Sequence, residues 1–223
     1  MFGAGGGIGN ALAERLRADQ RFSTVIELSR ASDPAFDLTD ENSIAQVAAN
    51  IARSGIDIRL AIVATGALDR QGCRAEKSWR QIDPVAMAQS FAINTIGPAL
   101  LMKHFLPLLP HSGKSVFAAL SARVGSIGDN RLGGWYSYRA AKAALNQVVH
   151  TASIELQRTR PQAICVALHP GTVDTGLTAG FAKSGLEVQT PAAAAGRIID
   201  VIDALRASDS GQFFDQRGAS IPW

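Results

Sequence analysis

The run Gly3-Ala4-Gly5-Gly6-Gly7-Ile8-Gly9 passes directly into a stretch that repeats Leu12, Ala13 and Leu16 at helical spacing. Glycines permit a tight turn and let backbone N–H groups close on a pyrophosphate, and the N-terminus of the helix that follows adds a favourable dipole. No other segment restricts the fold as much. It calls for a strand–turn–helix unit, with Gly3, Gly5, Gly7, Ile8 and Gly9 as candidate phosphate contacts.

The rest of the chain keeps the same rhythm. Apolar, β-branched runs predict strands over 23–29, 60–64, 115–120, 164–168 and 212–214. Helices are expected to start near Gly7, Glu41, Asp83, Trp135 and Pro191. Ile44, Val47, Ala48 and Ile51 mark the second of these, and Thr190-Pro191 reads as a cap followed by proline in the first turn. Strand–helix alternation specifies an α/β, Rossmann-type, doubly wound parallel sheet with helices on both faces, built as one domain over residues 1–223. The glycine loop should follow a central strand, yet only Met1 and Phe2 precede it, fewer than the about five residues of a usual strand. The first strand is therefore expected to be largely missing, with further residues upstream of Met1 in the natural protein.

Composition narrows the function. An excess of 22 Lys and Arg over 19 Asp and Glu is small and scattered, so neither a nucleic-acid footprint nor a basic tail is present. No uninterrupted apolar run reaches bilayer length, because Lys103-His104 and prolines break the stretch from Ala99 to Leu109. Cys73 and Cys165 lie far apart without metal-ligand spacing, which fits buried thiols in a reducing compartment. These features place the chain in the cytoplasm, without a signal peptide, metal, membrane or nucleic-acid partner.

Two further segments point to redox chemistry. The second strand ends Glu27-Leu28-Ser29-Arg30. An acid at this place would bind the ribose of NAD, whereas arginine accommodates the 2′-phosphate of NADP; Ser29 followed by Arg30 favours NADP(H), and Glu27 leaves NAD(H) possible. Further on, Tyr138 and Lys142 are four residues apart on a predicted helix and so share a face. An ammonium beside a phenol favours the phenolate, which suits Tyr138 to proton exchange with a carbonyl oxygen. Ser121 and Ser126 precede the tyrosine and offer hydroxyls, and Asn94 places an amide inside an apolar helical region.

The order of glycine loop, Asn94, serines, Tyr138 and Lys142 resembles the short-chain dehydrogenase/reductase family, and the resemblance spans 3–223. The stretch from Tyr136 to Asn146, with Gly125-Ser126-Ile127 and the terminal Ile221-Pro222-Trp223, looks like its C-factor-like and Sniffer-like carbonyl reductase branch. The resemblance implies Tyr138 as acid/base, Lys142 as its partner and ribose ligand, and Asn94 as support for a relay water. It also implies Asp37 and Leu38 at the adenine, Ala64, Thr65 and Gly66 beside the cofactor, and Pro170, Gly171, Thr172, Val173 and Thr175 at the nicotinamide or phosphate. A small carbonyl or alcohol substrate and a homo-oligomer, dimer or tetramer, follow by the same resemblance.

Three departures stand out. The family's Asn-Asn-Ala-Gly reads Val63-Ala64-Thr65-Gly66, its Ser-Ser pair reads Ser121-Ala122, and the segment after the second strand is too short for the usual helix. Ser126, twelve residues before Tyr138, is slightly preferred over Ser121 as the catalytic serine. The departures support an alternative, a non-catalytic dinucleotide-binding sensor or signalling protein. His104, His150 and His169 read as packing or surface residues, and Trp135 and Tyr136 as a pocket wall or a subunit contact. Trp79, in a polar stretch with Glu76, Lys77 and Arg80, carries no assignment.

Overall fold

The computed structural model describes residues 1–32, 35–68, 75–178 and 187–223. Its helices are α1 (Gly7–Arg17), α2 (Glu41–Ser54), α3 (Pro84–Phe91), α4 (Gly97–Phe105), α5 (Tyr136–Thr159) and α6 (Pro191–Ala204). Its strands are β1 (Leu60–Val63), β2 (Ser115–Leu120), β3 (Ala163–His169), β4 (Thr172–Val173), β5 (Val188–Gln189) and β6 (Phe213–Asp215). β1, β2, β3 and β6 hydrogen-bond in that order, all parallel, with Ile62 opposite Ala118 and Ala118 opposite Val166. β4 and β5 form a separate parallel pair, which no apolar run predicts.

Alternation along these strands sorts the core into two faces. Phe117, Ala119, Cys165 and Ala167 pack with Ile44 and Val47 of α2, Leu101 and Phe105 of α4, and Leu145 and Val149 of α5. Val116, Ala118, Ile164 and Val166 pack with Leu12 and Leu16 of α1 and Ile198 and Ile202 of α6. Two-sided burial explains why the strands read as continuous apolar runs. The expected doubly wound architecture is what the chain adopts.

The helix starts follow their capping chemistry. Asp40, Asp83 and Thr190 accept hydrogen bonds from the backbone N–H of Asn42, Ala86 and Ala193, and proline follows directly in α3 and α6. One expectation fails over α3 and α4. Helix runs unbroken from Pro84 to Leu108, long and apolar enough by length and composition for a membrane span. Lys103 and His104 do not interrupt it, because both reach out to Glu41 at the start of α2 while Leu101, Met102 and Phe105 turn inward. The first part of this helix packs on α5, and α4 packs on both α2 and α5.

The strand expected over 23–29 is only partly realised. Phe2 bridges Leu28 on one side and Val63 on the other, both parallel, so the first strand is reduced to this one residue in the central position. Residues 24–27 join no ladder, although the Ile26 carbonyl accepts from the Met1 nitrogen. Phe2 is 2 % exposed and meets Phe105 edge-on at 4.7 Å and Phe36 at 5.8 Å. Truncating such a ring to alanine costs about 3–5 kcal/mol. This single residue anchors the glycine loop to the sheet.

Candidate active site

Backbone geometry fixes the glycine loop. Gly3 adopts φ 83°, and its N–H, with that of Ala4, donates to the Leu28 carbonyl. A β-carbon at Gly9 would overlap the Gly3 carbonyl oxygen, and one at Gly7 would lie 2.9 Å from Thr175 Cγ2. Gly5 is exposed and faces Ser29, with 3.5 Å between its would-be β-carbon and Ser29 Cβ. No side chain caps α1 at Gly6, so the first amide groups of the helix are left to an anion, with Ile8 half-buried among them. Arg30 next door is exposed, and no carboxylate among the described residues pairs with it.

Of the other expected cofactor contacts, Ala64, Thr65 and Thr175 reach this turn. Leu38 is buried and wedges against Gly97, where a β-carbon would lie 2.8 Å from Leu38 Cδ2. Asp37 turns its carboxylate to the N–H and hydroxyl of Thr39, both at 2.8 Å. Gly171 adopts φ 79° after Pro170, whose carbonyl accepts from Gln189 Nε2 at 3.1 Å. Thr172 and Val173 form β4, and Thr175 packs on Gly7, which brings two segments far apart in sequence into one place. Ala64 donates its N–H to the Phe2 carbonyl, and the buried hydroxyl of Thr65 has no hydrogen-bond partner. That orphaned oxygen is a feature a ligand would satisfy.

Asn94 sits in a π-helical bulge over Ala92–Ile96, a distortion that frequently marks functional sites. It is fully buried, accepts from the Ala67 N–H at 3.2 Å and donates to the Ala67 carbonyl at 2.8 Å. A β-carbon at Gly66 would lie 3.3 Å from Asn94 Oδ1 and 3.8 Å from Lys142 Nζ. The β1 end, the π bulge and α5 therefore converge on one point.

Tyr138 and Lys142 are 8 % and 2 % exposed on the buried face of α5. Lys142 Nζ donates to the Leu120 carbonyl at 2.9 Å and lies 5.8 Å from the Tyr138 ring centre. Burial lowers the ammonium to about 8 and pushes the phenol above its ordinary value. The lowering of the phenol expected from the Tyr–Lys spacing is thus outweighed in the polypeptide by desolvation, since the ammonium sits over the ring and bonds the Leu120 carbonyl. The two serines are engaged elsewhere. Ser126 Oγ donates to the Pro222 carbonyl at 2.5 Å and accepts from the Asp129 N–H, whereas Ser121 Oγ donates to Asn146 Oδ1 at 2.6 Å.

The turn entering α5 is unusual. Gly133, Gly134 and Trp135 all lie in the left-handed region, Trp135 at φ 53°. A non-glycine residue there costs about 1–2 kcal/mol. Arg139 holds the turn by donating to the carbonyls of Val124, Gly133 and Gly134, and the Trp135 ring meets Tyr138 edge-on at 6.4 Å. Glu76, buried and unassigned by sequence, accepts from Ser137 N–H and Oγ–H. A lone glutamate in a polar stretch leaves no pattern in the sequence, so nothing could have singled it out. His169 is half-buried with its Nδ1 buried and unpartnered, and desolvation lowers it to about 4. Cys165 is a buried thiol pushed up to about 12, hence unreactive, while Cys73 lies outside the described residues.

A glycine turn at the centre of a parallel sheet, next to a buried tyrosine–lysine pair, defines a dinucleotide-using oxidoreductase. A family model described as Enoyl-(Acyl carrier protein) reductase matches residues 3–207, and the chain belongs to this short-chain dehydrogenase/reductase family. It is 38% identical over 144 residues to C-signal of Myxococcus xanthus, covering 64% of this chain and 81% of that one. It is 32% identical over 193 residues to 1-hydroxy-2-glutathionyl-2-methyl-3-butene dehydrogenase of Rhodococcus sp. (strain AD45), covering 86% and 80%. Among solved structures it is similar to an NADPH-bound carbonyl reductase from chicken fatty liver, with TM-score 0.81, 26% identity and coverage of 100% and 97%.

Proposed function

We propose that the protein interconverts a small carbonyl compound and its alcohol with NADP(H), and that Tyr138 is the acid/base. The observation that carries this reading is the burial of Tyr138 and Lys142 one turn apart on α5, with Asn94 and Lys142 both reaching Gly66 beside the glycine turn. The polypeptide offers what a dinucleotide needs: the uncapped start of α1, the unpaired Thr65 hydroxyl and the Thr175–Gly7 contact. Arg30, exposed and unpaired among the described residues beside Ser29, supports NADP(H) over NAD(H) through its charge on the 2′-phosphate.

When bound, the nicotinamide supplies the hydride. Tyr138 gives its phenolic proton to the substrate oxygen, and Lys142, an ammonium below about pH 8, stabilises the phenolate left behind. Asn94 holds the Ala67 backbone beside them through two hydrogen bonds. Tyr138→Phe is expected to abolish NADPH oxidation with aldehydes, ketones and quinones while NADPH binding, read by fluorescence, stays within about threefold. A fully active phenylalanine variant would refute the assignment.

One observation favours a second reading, a non-catalytic dinucleotide sensor. The Ser121 and Ser126 hydroxyls are donated to Asn146 and Pro222, and Ala122 brings none. NADPH binding with no turnover of any carbonyl in the panel would select it. We further propose a homo-oligomer formed through the helices from Asn94 to Leu109 and from Tyr138 to Leu156, where Ile96 and Ile154 are exposed. A monomer by sedimentation at micromolar concentration would exclude this.

A further inference from the structure

Glu76 has surroundings that its sequence context does not explain. It is 7 % exposed, and no lysine or arginine among the described residues pairs with it. A buried carboxylate without a cation needs strong hydrogen-bond donors. Its donors all come from the entry of α5: Ser137 N–H at 3.3 and 3.2 Å to the two carboxylate oxygens, and Ser137 Oγ–H to Oε1. The Glu76 backbone carbonyl also accepts from Trp135 N–H at 2.5 Å. Trp135 itself gives α5 no side-chain cap and sits in the left-handed region. Glu76 therefore supplies from another segment the cap that α5 lacks, and its charge meets the positive end of a 24-residue helix.

The consequence falls on Tyr138, which follows Ser137 directly. Glu76, Ser137 and Tyr138 line one small cavity together with Gln89, Ser90 and Ile93 of the α3–π segment. Without the carboxylate, the Ser137 N–H and hydroxyl lose their acceptor, and the first turn of α5 loses a restraint that the Arg139 and Asn130 side chains and the Glu76 carbonyl, which act on the preceding turn, do not replace. Displacement of that turn moves the phenol without touching Lys142, which stands one turn further in and is fixed by the Leu120 carbonyl. We propose that Glu76 is a positioning residue for Tyr138: its carboxylate holds the first turn of α5, and so sets the phenol against the substrate oxygen. The inference rests on Tyr138 being the acid/base.

The test compares Glu76→Ala, Glu76→Gln, Ser137→Ala and Tyr138→Phe in the full chain, using NADPH and a carbonyl compound that the native protein reduces. Glu76→Ala is expected to lower kcat about 10- to 100-fold, the scale of a misplaced catalytic group. NADPH affinity should stay within about threefold, because the glycine turn and Lys142 are remote from the carboxylate. Glu76→Gln keeps an acceptor oxygen for Ser137 and should recover part of the lost kcat, a rescue that a general loss of packing would not show. Ser137→Ala keeps the amide bond, removes only the hydroxyl and should fall between native and Glu76→Ala; it decides the matter if Glu76→Ala does not fold. Native-like kcat in Glu76→Ala, or in Ser137→Ala where that variant decides, overturns the inference, as does an equal loss of kcat and NADPH affinity. If Tyr138→Phe is inactive while Glu76→Ala is native-like, only the positioning role falls. If Tyr138→Phe is active, or the native protein reduces no carbonyl, the underlying reading falls and this one with it.

Discussion

A chain that starts at Met1 has an acid-sensitive stability with a defined window, set by its amino group. That group donates to the Ile26 carbonyl at 2.7 Å and is buried between the two segments that flank Phe2. Desolvation lowers it from 8.0 to about 6, against a smaller opposing pull from Glu27. A cation whose folded-state pKa is depressed binds fewer protons folded than unfolded, so stability rises with pH between about 6 and 8. The penalty is absent above pH 8 and complete below pH 6. Two units at about 1.36 kcal/mol each give about 2.7 kcal/mol. At a urea m-value of about 2–3 kcal/mol/M, the unfolding midpoint should rise by about 1 M from pH 6 to pH 8. Acetylation of the amine removes the charge, and the acetyl group has room in the cavity of about 150 Å³ between residues 23–26 and 56–62. The acetylated chain should therefore be the more stable at pH 6 and lose most of the slope. Identical pH profiles for the free and acetylated forms would refute the reasoning.

Other outcomes follow from single contacts. Gly9→Ala should abolish NADPH binding and cost about 1–3 kcal/mol in urea unfolding, because the methyl overlaps the Gly3 carbonyl. Thr190→Ala removes the acceptor for Ala193 N–H and should cost about 1 kcal/mol, read as a lower Tm without change in NADPH affinity. Arg30→Ala should weaken NADPH while sparing NADH, seen as a fall in the ratio of their affinities by titration; an unchanged ratio would remove Arg30 from the cofactor site.

Local chemistry was legible wherever it is written in adjacent residues. Glycine spacing, the 3.6-residue repeat of Ile44, Val47, Ala48 and Ile51, the caps at Asp83 and Thr190, and the four-residue step from Tyr138 to Lys142 each carry a short-range rule. They gave the parallel sheet, the places of five helices and most of the strands, because those depend on which face a residue buries. The same rules failed over 24–27, which stay out of the ladder while Leu28 beside them bridges to Phe2. They also failed for Pro84 to Leu108, where charged side chains reach outward from a helix that continues.

What the tertiary structure decided is who meets whom. Ser121 and Ser126 both stood as candidates in sequence, with Ser126 slightly preferred, yet Asn146 and Pro222, 25 and 96 residues further on, take up their hydroxyl protons. Spacing put Lys142 on the same face as Tyr138, but only packing turned its ammonium to the Leu120 carbonyl and desolvated both groups. Thr175 reaches Gly7, and Glu76 reaches Ser137, across gaps that no local pattern spans. Sequence determines the elements, because backbone preference and burial periodicity act within a few residues. Hydrogen-bond partners and pKa values belong to the folded chain, because they depend on distance and solvent exclusion between segments brought together by the sheet.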